Sequence, residues 1–257
     1  MSMSNIIESF RLDGKVAIVT GASTGLGQGI CQGLAGAGAR IAGVSRSSMA
    51  ETGRLVEAEG APFLAIQADL TSIEPVEPII NLVLETYGRI DILVNNAGII
   101  RREDAINFTE KDWDDVLNIN AKSMFFLAQA VARQIMKQGS GGKIINIASM
   151  LSFQGGIRVP SYTSSKSAVK GMTMALANEW AKYNINVNAI APGYMVTNNT
   201  EALRADPQRS AEILARIPAG RWGTPADIAG AAVFLASQAS DYVNGFTMAV
   251  DGGWLAR

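Results

Sequence analysis

The 257-residue chain contains no histidine, so the one side chain whose unperturbed pKa falls between pH 5 and 8 takes no part in its chemistry. A single cysteine, Cys31, excludes an internal disulfide, and no metal site is expected. Charge of one sign is also missing: 22 basic and 23 acidic residues leave a net −1, which offers nucleic acid no general attraction. No apolar run reaches the roughly 18 residues of a spanning helix, since even 90–100 is broken by Asp91, Asn95 and Asn96. The opening MSMSNIIESFRLDGK lacks the basic stretch and apolar run of a secretion signal. These absences predict a cytoplasmic protein with neither membrane nor nucleic-acid partner. Linkers, low-complexity tracts and repeats are missing too, so one domain over 1–257 is expected.

What is present is alternation. Short apolar runs (KVAIVTG, ARIAGVS, FLAIQADL, IDILVNNAG, KIINIAS, INVNAIAPG and 246–250) are separated by segments of helical period at 26–37, 49–59, 75–87, 110–137, 161–183 and 225–236. Near-continuous apolar strands alternating with helices predict an α/β fold with a Rossmann-like, doubly wound, parallel seven-stranded sheet in a single domain. A polar insertion at 194–217, after the sixth strand, stands where a lid over a substrate would sit.

The first strand runs into TGASTGLGQG, placing Gly21, Gly25 and Gly27 where strand turns to helix. Glycines there let a backbone approach a pyrophosphate, and a helix N-terminus offers it free N–H groups. The alternative is a tight turn without a ligand. However, Asp69, the NNAG of 95–98, Ser149 and Pro192-Gly193 end the next strands, and in an open α/β sheet ligands bind at the carboxyl ends. Asp69 would otherwise be a helix cap and Asn95 a buried strand-end amide.

Acid–base work without imidazole points to PSYTSSKSA at 160–168. With Pro160 opening a helix, Tyr162 and Lys166 share one face a turn apart. A phenol of pKa about 10 must fall by roughly three units, about 4 kcal/mol, to serve near pH 7. A cation at about 5 Å in an effective dielectric near 20 supplies on the order of 3 kcal/mol of that. A packing tyrosine beside a solvated lysine is the competing reading. Ser149, thirteen residues before Tyr162, and Asn120, inside the helix after NNAG, favour the catalytic one.

TGxxxGxG, NNAG, Asn120, the Ser149/Tyr162/Lys166 spacing and PG, in this order, resemble the short-chain dehydrogenase/reductase family over nearly the whole chain. The resemblance implies a nicotinamide-dependent oxidoreductase. Tyr162 would be its acid/base, Lys166 would lower the phenol's pKa and hold the cofactor, Ser149 would bond the substrate oxygen, and Asn120 would hold a relay water. It further implies a cofactor site drawn from Gly21, Ser23, Thr24, Gly25, Leu26, Gly27, Ser45, Arg46, Asp69, Leu70, Asn96, Ala97, Gly98, Tyr162, Lys166, Pro192, Gly193, Met195 and Thr197, and a homotetramer paired through 110–137 and 161–183. The second strand ends in Ser45-Arg46 where an NAD-selecting acid would stand, so the cofactor is NAD(P) with NADP preferred. IRREDAINFTEKDWDDV, MLSFQGGIRVPSY, IAPGYMVTNNT, RIPAGRWG and DYVNG with VDGGWLAR are similar to sugar-acid dehydrogenases of uronate breakdown. A small sugar acid is the implied partner. Arg158 first and Arg101 second are expected to hold its carboxylate, beside Ser149 and Tyr162, with Arg102 a third candidate. A carrier-protein-linked 3-oxoacyl reductase, a gluconate dehydrogenase and a nucleotide-binding regulator that has lost catalysis are the rivals.

Overall fold

The computed structural model describes residues 5–257, so the secretion-signal reading falls partly outside the described residues, on 1–4. Seven parallel strands form one sheet in the order β3-β2-β1-β4-β5-β6-β7: β1 (Val16–Thr20), β2 (Arg40–Ser45), β3 (Phe63–Gln67), β4 (Ile92–Asn95), β5 (Gly142–Ile147), β6 (Ile185–Pro192) and β7 (Thr247–Val250). Every residue of β1 and β4 is buried, which is why those runs are apolar without alternation.

Helices cover both faces. On one, α3 (Val76–Tyr87), α5 (Met124–Gln138) and α6 (Pro160–Trp180) bury Ile79, Val83, Leu127, Val131, Ile135 and Leu176 against the sheet. On the other, α1 (Gly25–Gly36), α2 (Ala50–Ala58) and α9 (Pro225–Ala236) bury Ile30, Leu34, Val56, Ile228 and Leu235. α1 and α9 cross closely because α1 presents glycine: a Cβ on Gly33 would stand 2.7 Å from that of Ala229. Among the described residues no helix is long and apolar enough to cross a membrane.

The helix expected over 110–137 is interrupted. α4 (Glu110–Leu117) passes through a π-helical turn, Asn118–Ser123, into α5. An extra residue per turn is most often retained where it places a functional group, and this turn carries Asn120. The 194–217 insertion is a 3₁₀ turn followed by α7 (Glu201–Ala205) and α8 (Pro207–Arg216).

A buried polar chain fixes the sheet against α6. Asn95 Nδ2 donates to Asn146 Oδ1 at 3.0 Å, and Asn146 Nδ2 donates to Thr173 Oγ1 at 3.0 Å. The Thr173 hydroxyl donates on to Val169 O at 2.8 Å. All three side chains are at least 95% buried. Asn95 is thus the strand-end amide that its position allowed. Asn146→Ala would strand its neighbours' polar atoms away from water, at a cost of about 1–3 kcal/mol. A fall in the urea midpoint at fixed protein concentration is expected, and an unchanged midpoint would show that the chain contributes nothing.

Candidate active site

The strand order reverses between β1 and β4, and a crevice opens there at the carboxyl ends. Thr20 Oγ1 accepts from the N–H groups of Asn96 (3.0 Å) and Ala97 (2.9 Å), while Asn96 Nδ2 donates to Thr20 O at 2.9 Å. That lacing brings the NNAG turn against the glycine loop. Gly21 and Gly25 are left-handed, with φ of +66° and +59°, and a Cβ on Gly21 would lie 2.8 Å from Asn96 Nδ2. Gly27 meets the Gly21 carbonyl so closely that a Cβ cannot fit between them.

The resulting cleft, about 340 Å³, is lined by Gly21, Ser23, Thr24, Gly25, Leu26, Ser45, Arg46, Asp69, Leu70, Asn96, Ala97, Gly98, Tyr162, Lys166 and Thr197. Val44, Ser47, Ala68, Ile99, Ile119, Ile147, Asn198 and Asn199 complete it without having been foreseen, although the two asparagines directly follow Thr197. Four expected residues do not line it. Gly27 packs under the loop, Pro192 is buried at the end of β6, and Met195, 4% exposed, bridges to Gly223. Gly193 lies instead in the adjoining pocket. At the end of β2, Ser45 Oγ accepts from Ser47 N at 3.3 Å, and Arg46 reaches Asp69 only at 3.8 Å, both side chains more than half exposed. Hydroxyls and an accessible guanidinium stand where a ribose-binding carboxylate would exclude a 2′-phosphate. A glycine cradle that no Cβ could share and this cationic strand end fit a phosphorylated dinucleotide.

Lys166 is 4% exposed, with Nζ 5.6 Å from the centre of the Tyr162 ring. Its ammonium donates to Ile147 O at 2.6 Å and meets no other protein acceptor among the described residues. Two N–H groups are left over in the cleft that it lines. Burial pushes its pKa down to about 8. The Tyr162 phenol is pushed up by burial, against which the Ser149 hydroxyl and the charge of Arg102 both act. The expectation that Lys166 supplies most of a downward shift is therefore not met: burial weakens the cation and opposes the phenolate together. Ser149, 7% exposed, begins a 3₁₀ turn and accepts from Leu151 N at 3.1 Å.

Asn120 is a strap. Its Oδ1 accepts from Ile99 N at 2.8 Å, and its Nδ2 donates to Ile99 O (3.0 Å) and Ser165 Oγ (3.1 Å). Both side-chain N–H groups are occupied, and one lone pair on Oδ1 remains for a water.

A second pocket, about 380 Å³, adjoins the first and is lined by Ser149, Tyr162, Gly193, Tyr194 and the inner sides of α7 and α8. The first two arginines expected to hold a carboxylate do not line this pocket. Arg158 lies outside both clefts, paired to Asp104 at 3.1 Å and Glu103 at 3.6 Å, and Arg101 is held by Asp112 and Asp115 of α4 at 3.3 Å each. Neighbouring acids in IRREDA and EKDWDD had already signalled those pairs. The arginines that line the pocket are Arg102, Arg209 and Arg216. Arg209 is tied to Glu212 at 2.9 Å, whereas Arg102 donates to Asn199 O at 3.1 Å and has no acidic partner among the described residues.

A family model described as enoyl-(acyl carrier protein) reductase matches residues 21–255. The chain is 66% identical over 252 residues to a 2-dehydro-3-deoxy-D-gluconate 5-dehydrogenase of Dickeya dadantii, covering 98% of this chain and all of that one. Among solved structures it is similar to a candidate 2-deoxy-D-gluconate 3-dehydrogenase of Agrobacterium tumefaciens with bound NADP (TM-score 0.91, 55% identity, 97% and 99% of the two chains). It is also similar to a gluconate 5-dehydrogenase of Burkholderia cenocepacia in complex with NADP and tartrate (TM-score 0.93, 40% identity, 98% and 100%).

The Lys166 shift has a stability consequence whose sign is fixed. The folded value, about 8, lies below the ordinary 10.5, so between those limits the unfolded chain holds the extra proton and this group's contribution to stability rises with pH. Thermal or urea unfolding of the wild type and of Lys166→Met, compared from pH 7 to 10, should show the wild type gaining on the variant by up to about 3 kcal/mol. Parallel curves would mean that the ammonium is not desolvated.

Proposed function

Because this chain belongs to the short-chain dehydrogenase/reductase family, we propose that it is an NADP-preferring oxidoreductase acting on a secondary hydroxyl of a deoxy sugar acid, with 2-dehydro-3-deoxy-D-gluconate as the substrate to test first. One observation carries the reading: Tyr162 is the only titratable side chain lining both the nucleotide cleft and the adjoining pocket among the described residues. A proton donor at that junction can reach a substrate oxygen while the reacting carbon faces the nucleotide. NADP in the Agrobacterium relative and a hydroxy acid, tartrate, in the Burkholderia one support the same chemistry.

The bound nicotinamide supplies or accepts the hydride. Tyr162 gives its phenolic proton to the substrate oxygen in reduction and takes it back in oxidation. Ser149 donates a hydrogen bond to that oxygen and fixes its position. Lys166, with two unused N–H groups, holds the nucleotide's ribose and favours the phenolate. Asn120 acts as a positioning residue, setting Ile99 and α6 relative to each other. Arg102, beside the phenol, favours its ionised form in the oxidative direction. The 194–217 segment serves as a lid over the pocket. A cytoplasmic homotetramer fits the apolar surface near the expected pairing helices, where Trp113 and Met174 remain 40% and 45% exposed.

Tyr162→Phe should abolish turnover while NADPH binding, followed by its fluorescence, stays within a few-fold; activity within tenfold of wild type would sink the mechanism. Arg46→Asp removes a phosphate-pairing cation and adds repulsion. The ratio of kcat/KM with NADP to that with NAD should fall by about a hundredfold or more, and a ratio that barely moves would make Arg46 a solvated surface residue.

A further inference from the structure

The C-terminal turn builds one wall of the substrate pocket. Gly252 and Gly253 are left-handed (φ +65° and +89°), and Cβ atoms there would press within about 3.0 Å of Ile217 and Pro218 beyond α8. The Asp251 carboxylate accepts from Gly253 N and Leu255 N, both at 2.9 Å, and locks the turn. Trp254, 4% exposed, is thereby set against three segments at once: the ring of Tyr194 at 4.8 Å, the Arg216 guanidinium at 4.0 Å and the side chain of Gln154.

The contact with Gln154 has a definite polarity. An indole N–H can only donate, so the Gln154 atom 3.2 Å from Trp254 Nε1 must be Oε1, and the amide cannot be turned over without losing the bond. The Gln154 NH₂ is then directed away from the indole, and it meets no protein acceptor among the described residues, although Gln154 lines the pocket. Arg216 is similarly available. Stacking on Trp254 occupies a face of the guanidinium and leaves its in-plane N–H groups free. No carboxylate pairs with it among the described residues: Glu212, the pocket's one acid, is bound to Arg209. Gln154, Arg216 and Trp254 all line the substrate pocket and none lines the nucleotide cleft.

We propose that Gln154 and Arg216, oriented by Trp254, form the subsite that holds the substrate's carboxylate, on the side of the pocket that the nucleotide cleft does not reach. The ligand class is an acyclic hydroxy or keto acid whose carboxylate is several carbons from the carbon that reacts at Tyr162. The inference rests on the sugar-acid reading above and deepens it. Trp254 is a positioning residue: it stacks under one donor and fixes the orientation of the other.

The test compares wild type, Arg216→Met, Arg216→Lys and Trp254→Phe on 2-dehydro-3-deoxy-D-gluconate and on its uncharged primary amide, with folding checked by melting in the presence of NADP. For Arg216→Met the acid-to-amide ratio of kcat/KM should fall by about ten- to a hundredfold, mainly through KM for the acid, and lysine should restore part of it. Trp254→Phe keeps an aromatic platform but releases the amide, so the ratio should fall by a smaller factor. A readout independent of turnover is quenching of indole fluorescence by D-gluconate in the presence of NADP. Wild-type affinity should weaken with added salt, and Arg216→Met should bind at least about tenfold more weakly. An unchanged acid-to-amide ratio, or equal gluconate affinity in wild type and Arg216→Met, would overturn the subsite while leaving the oxidoreductase reading in place. Loss of gluconate binding in Arg216→Met, combined with no wild-type turnover of either compound, would uphold the subsite and reject the proposed substrate.

Discussion

A primary ammonium buried with one protein partner is the constraint around which the site is arranged. Lys166 reaches Ile147 O at the end of β5, and its own carbonyl accepts from Ser152 Oγ at 2.6 Å, so α6 is pinned to the serine loop from both sides. Ser149 lies between those two attachments in sequence. On the other flank Asn120 holds Ser165, the residue before Lys166, and Ile99 beyond the NNAG turn. Through Ile147 and Asn120, α6 is thus tied to the ends of β5 and β4. The ammonium has spare N–H groups because the fold spends its other contacts on position.

The same burial explains why tyrosine and lysine together do not yet make a phenolate. Desolvation lowers the lysine and raises the tyrosine, each toward its neutral form. Attraction between the two charges must overcome both penalties. Among the described residues one hydrogen bond reaches the ammonium, and Ser149 and Arg102 are the groups that favour the phenolate. A neutral phenol is the form that donates a proton to a ketone, whereas oxidation of an alcohol needs the ionised one. The balance is thus sensitive to whatever else enters the cleft, a useful property in a reversible reaction.

The sheet and most helices were legible because their signal is local. Apolar runs of strand length alternating with helical periods leave few other arrangements, and the glycine, NNAG and Tyr162/Lys166 spacings locate chemistry by sequence distance. What escaped the sequence depends on contacts across the fold. The π turn at Asn120 has no periodicity signature strong enough to separate it from the helices on either side. Arg101 and Arg158 looked well placed by proximity to NNAG and Ser149, yet chain neighbours already neutralise them. Gln154, Arg216 and Trp254 stand 38 or more residues from one another, and only the 194–217 insertion and the C-terminal turn bring them together.

Charge shows how far composition can mislead about a site. The net charge is −1, but acids and bases are not mixed at random. Arg11, Arg54, Arg89, Arg101, Arg158, Arg209 and Arg221 all lie within 4 Å of a carboxylate. Such exposed pairs add little stability, but they cancel fields at short range. Along the two joined clefts, Lys166, Arg102 and Arg216 have no acidic partner among the described residues, and Arg46 has only a distant one in Asp69. Unpaired cations beside low-dielectric walls concentrate positive potential where a phosphorylated cofactor and an anionic substrate would enter. A near-neutral protein thereby presents a cationic active site. Many of its arginines are held by local acids while, among the described residues, Lys166, Arg102 and Arg216 along the clefts are not, and it is this placement of unpaired cations, rather than the total, that gives the cleft its charge.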